Sequence, residues 1–308
     1  MYCVTDQLVL RTVDGAADLL IEELRAMSSI HSIRQTSAGT VECTIDGPLD
    51  ELVACTLYST VAVRDVEKSL QFGVLSTLDP PIRFRVGASD PEWRRERIAA
   101  TERELRWVNR PGDWDVNLTQ SSAEFGPLSW TRRFGPLERL PWSTNLIVAE
   151  VLVRLAKIRP GHRVLDPFCG TGTILLAVRR RTPNARVIGT DHDPRALEIA
   201  GRTSLRLAHA KAEALPLAAG SVDRVVTNLP FGKQVGSHEL NRTLYPAVLA
   251  EIDRVLAVDG RAVLLTEDKR LLHNAIQPVP ALKVVRERLL KYNGATPTAY
   301  VLTRPRPK

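Results

Sequence analysis

Along residues 8–66 the spacing of apolar positions changes period several times. Leu8–Val13 alternates like an extended segment, Ala16–Met27 puts Leu19, Leu20 and Leu24 on one helical face, and Ile30–Thr36 and Thr40–Ile45 are again extended. A second helical run, Leu49–Tyr58, and a last extended run, Val61–Val66, complete the order strand-helix-strand-strand-helix-strand. That order predicts a ferredoxin-like α+β unit over 1–72. Ser37-Ala38-Gly39 marks its hairpin turn, and Gly47-Pro48 is expected to open the second helix with Pro in the first turn.

Beyond Leu78-Asp79-Pro80-Pro81 the pattern predicts a strand, Ile82–Val86, and a helix, Pro91–Val108, with Ile98, Thr101, Leu105 and Val108 on one face. The other face carries Arg94, Arg95, Arg97, Arg103 and Arg106 among glutamates, and reads either as a solvated, salt-bridged surface or as a phosphate contact. Asn109–Pro141 has no clear period. It carries Trp114, Phe125, Trp130, Arg132, Arg133 and Phe134, a mixture that suits unpaired bases and phosphates or the core of a small domain.

From Thr144 onward the chain becomes regular. A helix, Asn145–Ala156, precedes strands near Arg163–Asp166, Arg186–Asp191, Asp223–Asn228, Arg261–Thr266, Val284–Leu290 and Ala299–Thr303, with helical segments between the earlier ones. Alternating strand and helix predicts a doubly wound parallel sheet. Only Lys291 to Pro297 separate the last two strands, too few for a crossover helix, so the final strand is expected to run antiparallel. Three regions follow: 1–72, 73–140 and 141–308.

Charge sharpens this picture slightly. The 308 residues hold 42 basic and 35 acidic side chains, a net +7 that favours a polyanionic partner without naming one. Cys3, Cys43, Cys55 and Cys169 lack paired spacing, so neither a metal site nor a disulfide framework is expected. No apolar run approaches the roughly 18–20 residues that span a bilayer, and Met1–Leu10 has no leader pattern. A cytoplasmic protein with no membrane partner is expected. Oligomeric state is not encoded in any of these features.

The chemistry concentrates at three strand ends. Val164 to Ile174 reads Val-Leu-Asp-Pro-Phe-Cys-Gly-Thr-Gly-Thr-Ile, a buried strand entering a Gly-rich turn that opens a helix. Gly170 and Gly172 let backbone approach a ligand, and the helix N-terminus offers unpaired N–H groups. A dinucleotide fingerprint needs a third glycine at 175, where Leu stands, so a nicotinamide enzyme is disfavoured. Val187-Ile188-Gly189-Thr190-Asp191 then ends in an acid suited to ribose hydroxyls, with helix capping as the competing role. The third, Val226-Thr227-Asn228-Leu229-Pro230-Phe231-Gly232, ends in a carboxamide, a rigid turn and an aromatic ring. Exocyclic amines of bases are poor nucleophiles because the lone pair is delocalised. A carboxamide oxygen and a neighbouring carbonyl can hold both amino hydrogens and aim the nitrogen, while the ring stacks on the base.

Taken in order, these motifs resemble the Rossmann-like class I methyltransferases that use S-adenosyl-L-methionine. More narrowly, Asp166 to Ile174 with Asn-Leu-Pro-Phe-Gly-Lys at 228–233 looks like the THUMP-domain tRNA (guanine-N2) methyltransferases. The likeness covers 141–308 and implies S-adenosyl-L-methionine as cofactor and RNA, notably tRNA, as partner, without a metal. By it, Asp166, Phe168, Cys169, Gly170, Thr171, Gly172 and Thr173 surround the methionine part of the cofactor. Asp191 faces the ribose, His192 and Ala212 lie by the adenine, and Asn228, Leu229, Pro230 and Phe231 receive the guanine. Residues 73–140 become a THUMP-like RNA-binding region, with Arg83, Arg85, Arg94, Arg95, Arg132 and Arg133 as phosphate contacts, and Lys233, just beyond the target-base motif, is a further one. Cys169 has no histidine in a recognisable relation to it and reads as a packing residue.

Three departures stand out. Lys211 occupies the position where many relatives carry an Asp for the adenine amine, Leu229 replaces the first Pro of the catalytic motif, and residues 73–140 are short for a full THUMP domain. An amino group of adenine in DNA or RNA, or of a small metabolite, is the alternative substrate. A nucleic-acid-binding homologue without catalysis is the alternative class.

Overall fold

A computed structural model describes residues 3–87, 89–134, 140, 143–231 and 238–304. Two compact units, Met1–Leu137 and Glu138–Lys308, divide the chain.

In the first unit β1 (Cys3–Arg11), α1 (Ala17–Arg25), β2 (Ile30–Ser37), β3 (Thr40–Pro48), α2 (Asp50–Ala54) and β4 (Thr60–Val63) follow the expected order. Alternation along β1 and β3 buries Leu8, Leu10, Val41, Cys43 and Ile45 beneath Leu20 and Leu24 of α1. Each aliphatic side chain so removed from water contributes about 1.5–3 kcal/mol.

The chain continues through α3 (Val66–Phe72), β5 (Arg83–Val86), α4 (Pro91–Leu105), β6 (Val108–Asn109), β7 (Val116–Leu118), β8 (Ala123–Phe125) and α5 (Trp130–Arg133). Strand order is β2-β3-β1-β4-β8-β7-β5-β6. Because β4 pairs with β8 through Ala62 and Glu124, residues 1–72 and 73–140 share one sheet.

Three local expectations are corrected. Gly47 and Pro48 do not open a helix, for both pair with β1 opposite Val4 and Cys3, and α2 starts only at Asp50. The extended run to Val66 stops at Val63, because the Asp65 carboxylate accepts from Lys68 N–H and caps α3. The helix from Pro91 ends at Leu105, where Arg106 turns left-handed at φ 57°, so Val108 belongs to a short strand. Residues 109–134, without period in the sequence, supply β7 and β8, whose three residues each are too few to show alternation.

The second unit comprises α6 (Leu146–Leu155), β9 (Arg163–Asp166), α7 (Thr173–Arg181), β10 (Arg186–Asp191), α8 (Pro194–Gly201), β11 (Leu207–His209), β12 (Val222–Asn228), α9 (His238–Val255), β13 (Leu256–Thr266), α10 (Lys269–Ile276), β14 (Lys283–Leu289) and β15 (Thr298–Thr303). Strand order is β11-β10-β9-β12-β13-β15-β14, with β15 antiparallel to both neighbours and the β11 to β13 pairs parallel. This is the class I methyltransferase fold, with its last strand reversed as expected. Val164, Leu165, Val225, Val226, Val263 and Leu264 are fully buried, as strands covered on both faces must be. Nine of the ten α6 residues are buried, among them Glu150, whose charge is matched by Arg154 at 2.9 Å and Arg180 at 2.8 Å. The winding reverses between β9 and β12, which opens a crevice at their carboxyl ends.

Candidate functional site

Three strand ends meet at this crevice. β9 stops at Asp166, and the chain turns through Gly170 (φ 50°) and Gly172 (φ 83°) into α7. A Cβ built on Gly170 would meet no atom within 4 Å, whereas one on Gly172 would lie 2.6 Å from a Leu205 methyl. Gly170 therefore faces open space and Gly172 faces packed protein. The turn is held from three sides. Gly172 N–H donates to the Cys169 carbonyl (2.8 Å), Gly170 N–H to Asp191 Oδ2 (2.7 Å), and Thr171 Oγ1 meets Ser143 Oγ at 3.1 Å.

Asp166 is buried beneath the turn, and its Oδ1 accepts from Thr227 Oγ1 at 2.6 Å and from Phe168 N–H at 3.1 Å. Burial pushes its carboxyl up to about 7, nearby Asp191 adds to the rise, and the two hydrogen bonds oppose it. Asp191 ends β10. Its Oδ1 accepts from Asp193 N–H at 3.0 Å and lies 3.3 Å from His192 Nδ1, while the ring of His192 is exposed. Each carboxylate oxygen has a second lone pair, so both can still accept from a ribose hydroxyl. Asp193, rather than Asp191, caps α8 by accepting from Arg195 N–H.

Cys169 is buried and its thiol is pushed well up by burial and by Asp166 and Asp191, which makes it a poor nucleophile. It packs against Gly189, where an added Cβ would lie 2.9 Å from its sulfur. β11, which the sequence pattern did not reveal in its three residues, lies parallel to β10 with His209 opposite Asp191. Ala210 N–H then donates to the Asp191 carbonyl at 3.1 Å. The Ala212 side chain is buried in the core and Lys211 is exposed.

Asn228 ends β12. Its Nδ2 donates to Thr144 Oγ1 at 3.1 Å, and its Oδ1 is buried with no hydrogen-bond partner among the described residues. Leaving a buried acceptor unpaired costs about 1–3 kcal/mol, a penalty that a ligand N–H donor removes. Leu229 is buried, while Pro230 and Phe231 are half-buried.

Sequence reasoning missed Ser143, Thr144 and Thr227. Ser143 reaches the Gly-rich turn, Thr144 reaches Asn228, and Asn145 caps α6 by accepting from Ile147 and Val148 N–H. Ser-Thr-Asn before an apolar helix signals a cap, but its spacing does not name the distant partners.

The basic candidates of the first unit have diverse surroundings. Arg83 donates to both oxygens of Asp115 and pairs with Asp113, and Arg132 approaches the same two carboxylates at 3.4 Å. Arg85 lies 4.2 Å over the Trp114 ring. Arg133 donates to the carbonyls of Cys55, Tyr58 and Leu128 and stacks 3.7 Å over Tyr58. Arg94 and Arg95 are exposed on α4. Lys233 lies outside the described residues. Among the described residues no group of three or more His, Cys, Asp or Glu side chains is placed to hold a metal ion, and no helix is long and apolar enough to cross a membrane.

A family profile, the RMKL-like methyltransferase domain, matches residues 143–297 of this chain. The chain belongs to that family. The RMKL-like domain thus includes Asp166, Asp191 and Asn228, the three strand ends that meet at the crevice. Among curated proteins, the tRNA (guanine(6)-N2)-methyltransferase of Thermus thermophilus is 38% identical over 184 residues, covering 57% of this chain and 53% of that protein. The tRNA (guanine(6)-N(2))-methyltransferase THUMP3 of Bos taurus is 32% identical over 185 residues, covering 53% of this chain and 37% of that one. The matched stretch therefore spans about half or less of these relatives. A crystal structure of TrmN from Thermus thermophilus superposes with a TM-score of 0.76 at 28% identity, covering 97% of this chain and 99% of that one.

S-adenosyl-L-methionine is the cofactor of the domain. The crevice fits it: Gly170 faces open space, Asp191 keeps lone pairs for a ligand, and among the described residues no side chain caps the α7 N-terminus at Gly172. Asp166 and residues 168–173 could hold its methionine part, Asp191 its ribose, and residues 210–212 its adenine.

Proposed function

We propose that this protein methylates N2 of a guanine in tRNA, in the cytoplasm, with S-adenosyl-L-methionine as donor. The observation that carries the proposal is the buried, unpaired Asn228 Oδ1 at the crevice. Its position suits an N–H donor, and relatives over the same stretch are named for guanine N2.

The bound cofactor supplies a methyl group on a sulfonium, an already activated donor. Asn228 Oδ1 and the Leu229 carbonyl accept the two amino hydrogens of the guanine, which draws the nitrogen toward a tetrahedral geometry and orients its lone pair. As positive charge grows on that nitrogen the same two oxygens stabilise it, until the proton passes to water. Phe231 stacks on the extruded base, and Thr144, which accepts from Nδ2, helps to hold the Asn228 amide in place.

In the same reading, residues 1–72 and 73–140 form one RNA-holding module, THUMP-like in its second part. Arg94 and Arg95 on α4 meet phosphates there. Arg83 and Arg132, already balanced by Asp113 and Asp115, and Arg133, committed to backbone carbonyls, shape that surface more than they charge it.

The test is transfer of labelled methyl to unmodified tRNA by the wild type and by Asn228→Ala, with the digested product identified by mass spectrometry. N2-methylguanosine from the wild type and at least a hundredfold less from the variant is the expected outcome. Methylation of another nucleoside, or none despite cofactor binding, overturns the tRNA-guanine reading.

A further inference from the structure

The carbonyl oxygen of Pro230 receives two hydrogen bonds from α9. Asn241 Nδ2 donates at 2.7 Å and Tyr245 Oη at 3.0 Å. Both donors are buried, Asn241 completely and Tyr245 to 1% exposure, so neither bond competes with water. Tyr245 has one hydroxyl proton, which it gives to Pro230. Its 2.8 Å contact with Thr266 Oγ1 is therefore a bond it accepts, and Thr266 Oγ1 in turn accepts from Asp268 N–H at 3.0 Å. The chain of donors runs from the start of α10 through β13 and α9 to one peptide oxygen of the target-base motif.

Asn241 makes this arrangement costly. Its Oδ1 is buried and has no partner among the described residues, so half of the amide is desolvated without compensation from them. A leucine of similar size would avoid that penalty. The donation to Pro230 is what the carboxamide accomplishes there.

We infer that Asn241 and Tyr245 are positioning residues for methyl transfer: by clamping the Pro230 carbonyl they set the orientation of the Leu229 carbonyl and the Phe231 ring toward the acceptor amine. The proline ring holds φ near −65°, so the Pro230 peptide plane and the preceding Leu229 carbonyl are coupled by little more than one free torsion. Leu229 is tied on its other side through its N–H to the Leu265 carbonyl at 3.0 Å. With both flanks fixed, the intervening carbonyl is preorganised, and rotation costs alignment with the amine rather than cofactor contact. This inference rests on the proposed amine methylation.

The test compares Tyr245→Phe, Asn241→Leu and the double variant in the full chain by two readouts. The first is kcat and KM on unmodified tRNA together with calorimetric affinity for S-adenosyl-L-methionine. The second is hydrogen exchange of the peptide spanning 225–231 in the free protein. Each single variant is expected to lower kcat about tenfold or more, with cofactor affinity within twofold of wild type and faster exchange at 225–231. The double variant should lose less than the product of the single losses, because both side chains hold the same atom. Unchanged kcat and exchange in both single variants, or equal losses in kcat and cofactor affinity, would overturn the clamp. If the wild type itself methylates no guanine, the functional reading has failed, and the exchange result alone decides whether the clamp exists.

Discussion

The hydroxyl of Thr227 donates a 2.6 Å hydrogen bond to Oδ1 of Asp166, tying the strand that ends at the cofactor turn to the strand that ends at the target-base motif. This bond opposes, without overcoming, the effect of burial, which lifts the Asp166 carboxyl from 3.8 to about 7. Native protein thus holds a proton that the unfolded chain has lost between those values. The stability of the free protein should fall as pH rises through that window and level off above it.

The cofactor carries an ammonium and a sulfonium, and positive charge nearby favours the ionised carboxylate. Its affinity is therefore expected to rise with pH up to about 7, with proton uptake by buffer on binding. Asp166→Asn should abolish both the slope and the proton release. Calorimetry in two buffers of different ionisation enthalpy measures this, and an unchanged slope in the variant would contradict it.

Gly170 and Gly172 should respond differently to alanine. At Gly170 the new methyl group enters open space, so strain of about 1–2 kcal/mol from the left-handed backbone is the stability cost, while cofactor affinity drops at least tenfold. At Gly172 the methyl group also meets Leu205, so stability falls further. Denaturant melts paired with cofactor titrations separate the two, and full affinity in Gly170→Ala would remove the cofactor from that side of the turn.

Thr144→Val preserves shape but removes the acceptor for Asn228 Nδ2. The amide is then free to turn, and the expected result is a roughly tenfold loss in single-turnover transfer with cofactor affinity retained. Equal transfer by the variant would show that Asn228 is oriented by other contacts.

In the first unit, burial raises the Asp115 carboxyl but the Arg83 side chain, the Arg83 backbone N–H and Arg132 together hold it below its ordinary value. The stability this contributes is present above pH 3.8 and is lost as pH falls through the depressed native value. Asp115→Asn should destabilise the unit by about 1–3 kcal/mol at neutral pH and flatten its acid limb. Urea melts between pH 3 and 7 read both effects, and an acid limb identical to wild type would exclude Asp115 as its origin.

Arg133→Ala should act on folding, through three lost carbonyl contacts and the stacking on Tyr58. Arg94→Ala with Arg95→Ala should act on RNA, lowering the slope of log affinity against log salt by about two and leaving stability nearly intact. A salt slope that does not change would place the RNA elsewhere.

The local features of this protein were legible in its sequence because strand alternation, glycine turns and strand-terminal polar residues are encoded by neighbours. Asp166, Asp191 and Asn228 stand at the ends of the strands expected for them. The short Lys291–Pro297 connection by itself required a reversed last strand. Short elements escaped, as in β7, β8 and β11, since three residues carry too little periodicity to distinguish a strand. Tertiary structure alone decided the partnerships: β15 inserted between β13 and β14, Thr144 against Asn228, Asn241 and Tyr245 on Pro230, and Arg83 balanced by Asp113 and Asp115. Each joins residues distant in the chain, and the pattern of polar and apolar positions says which side chains turn inward but not which of them meet. The same holds for the high pKa of Asp166, which comes from being enclosed by a sheet and a turn assembled from separate segments.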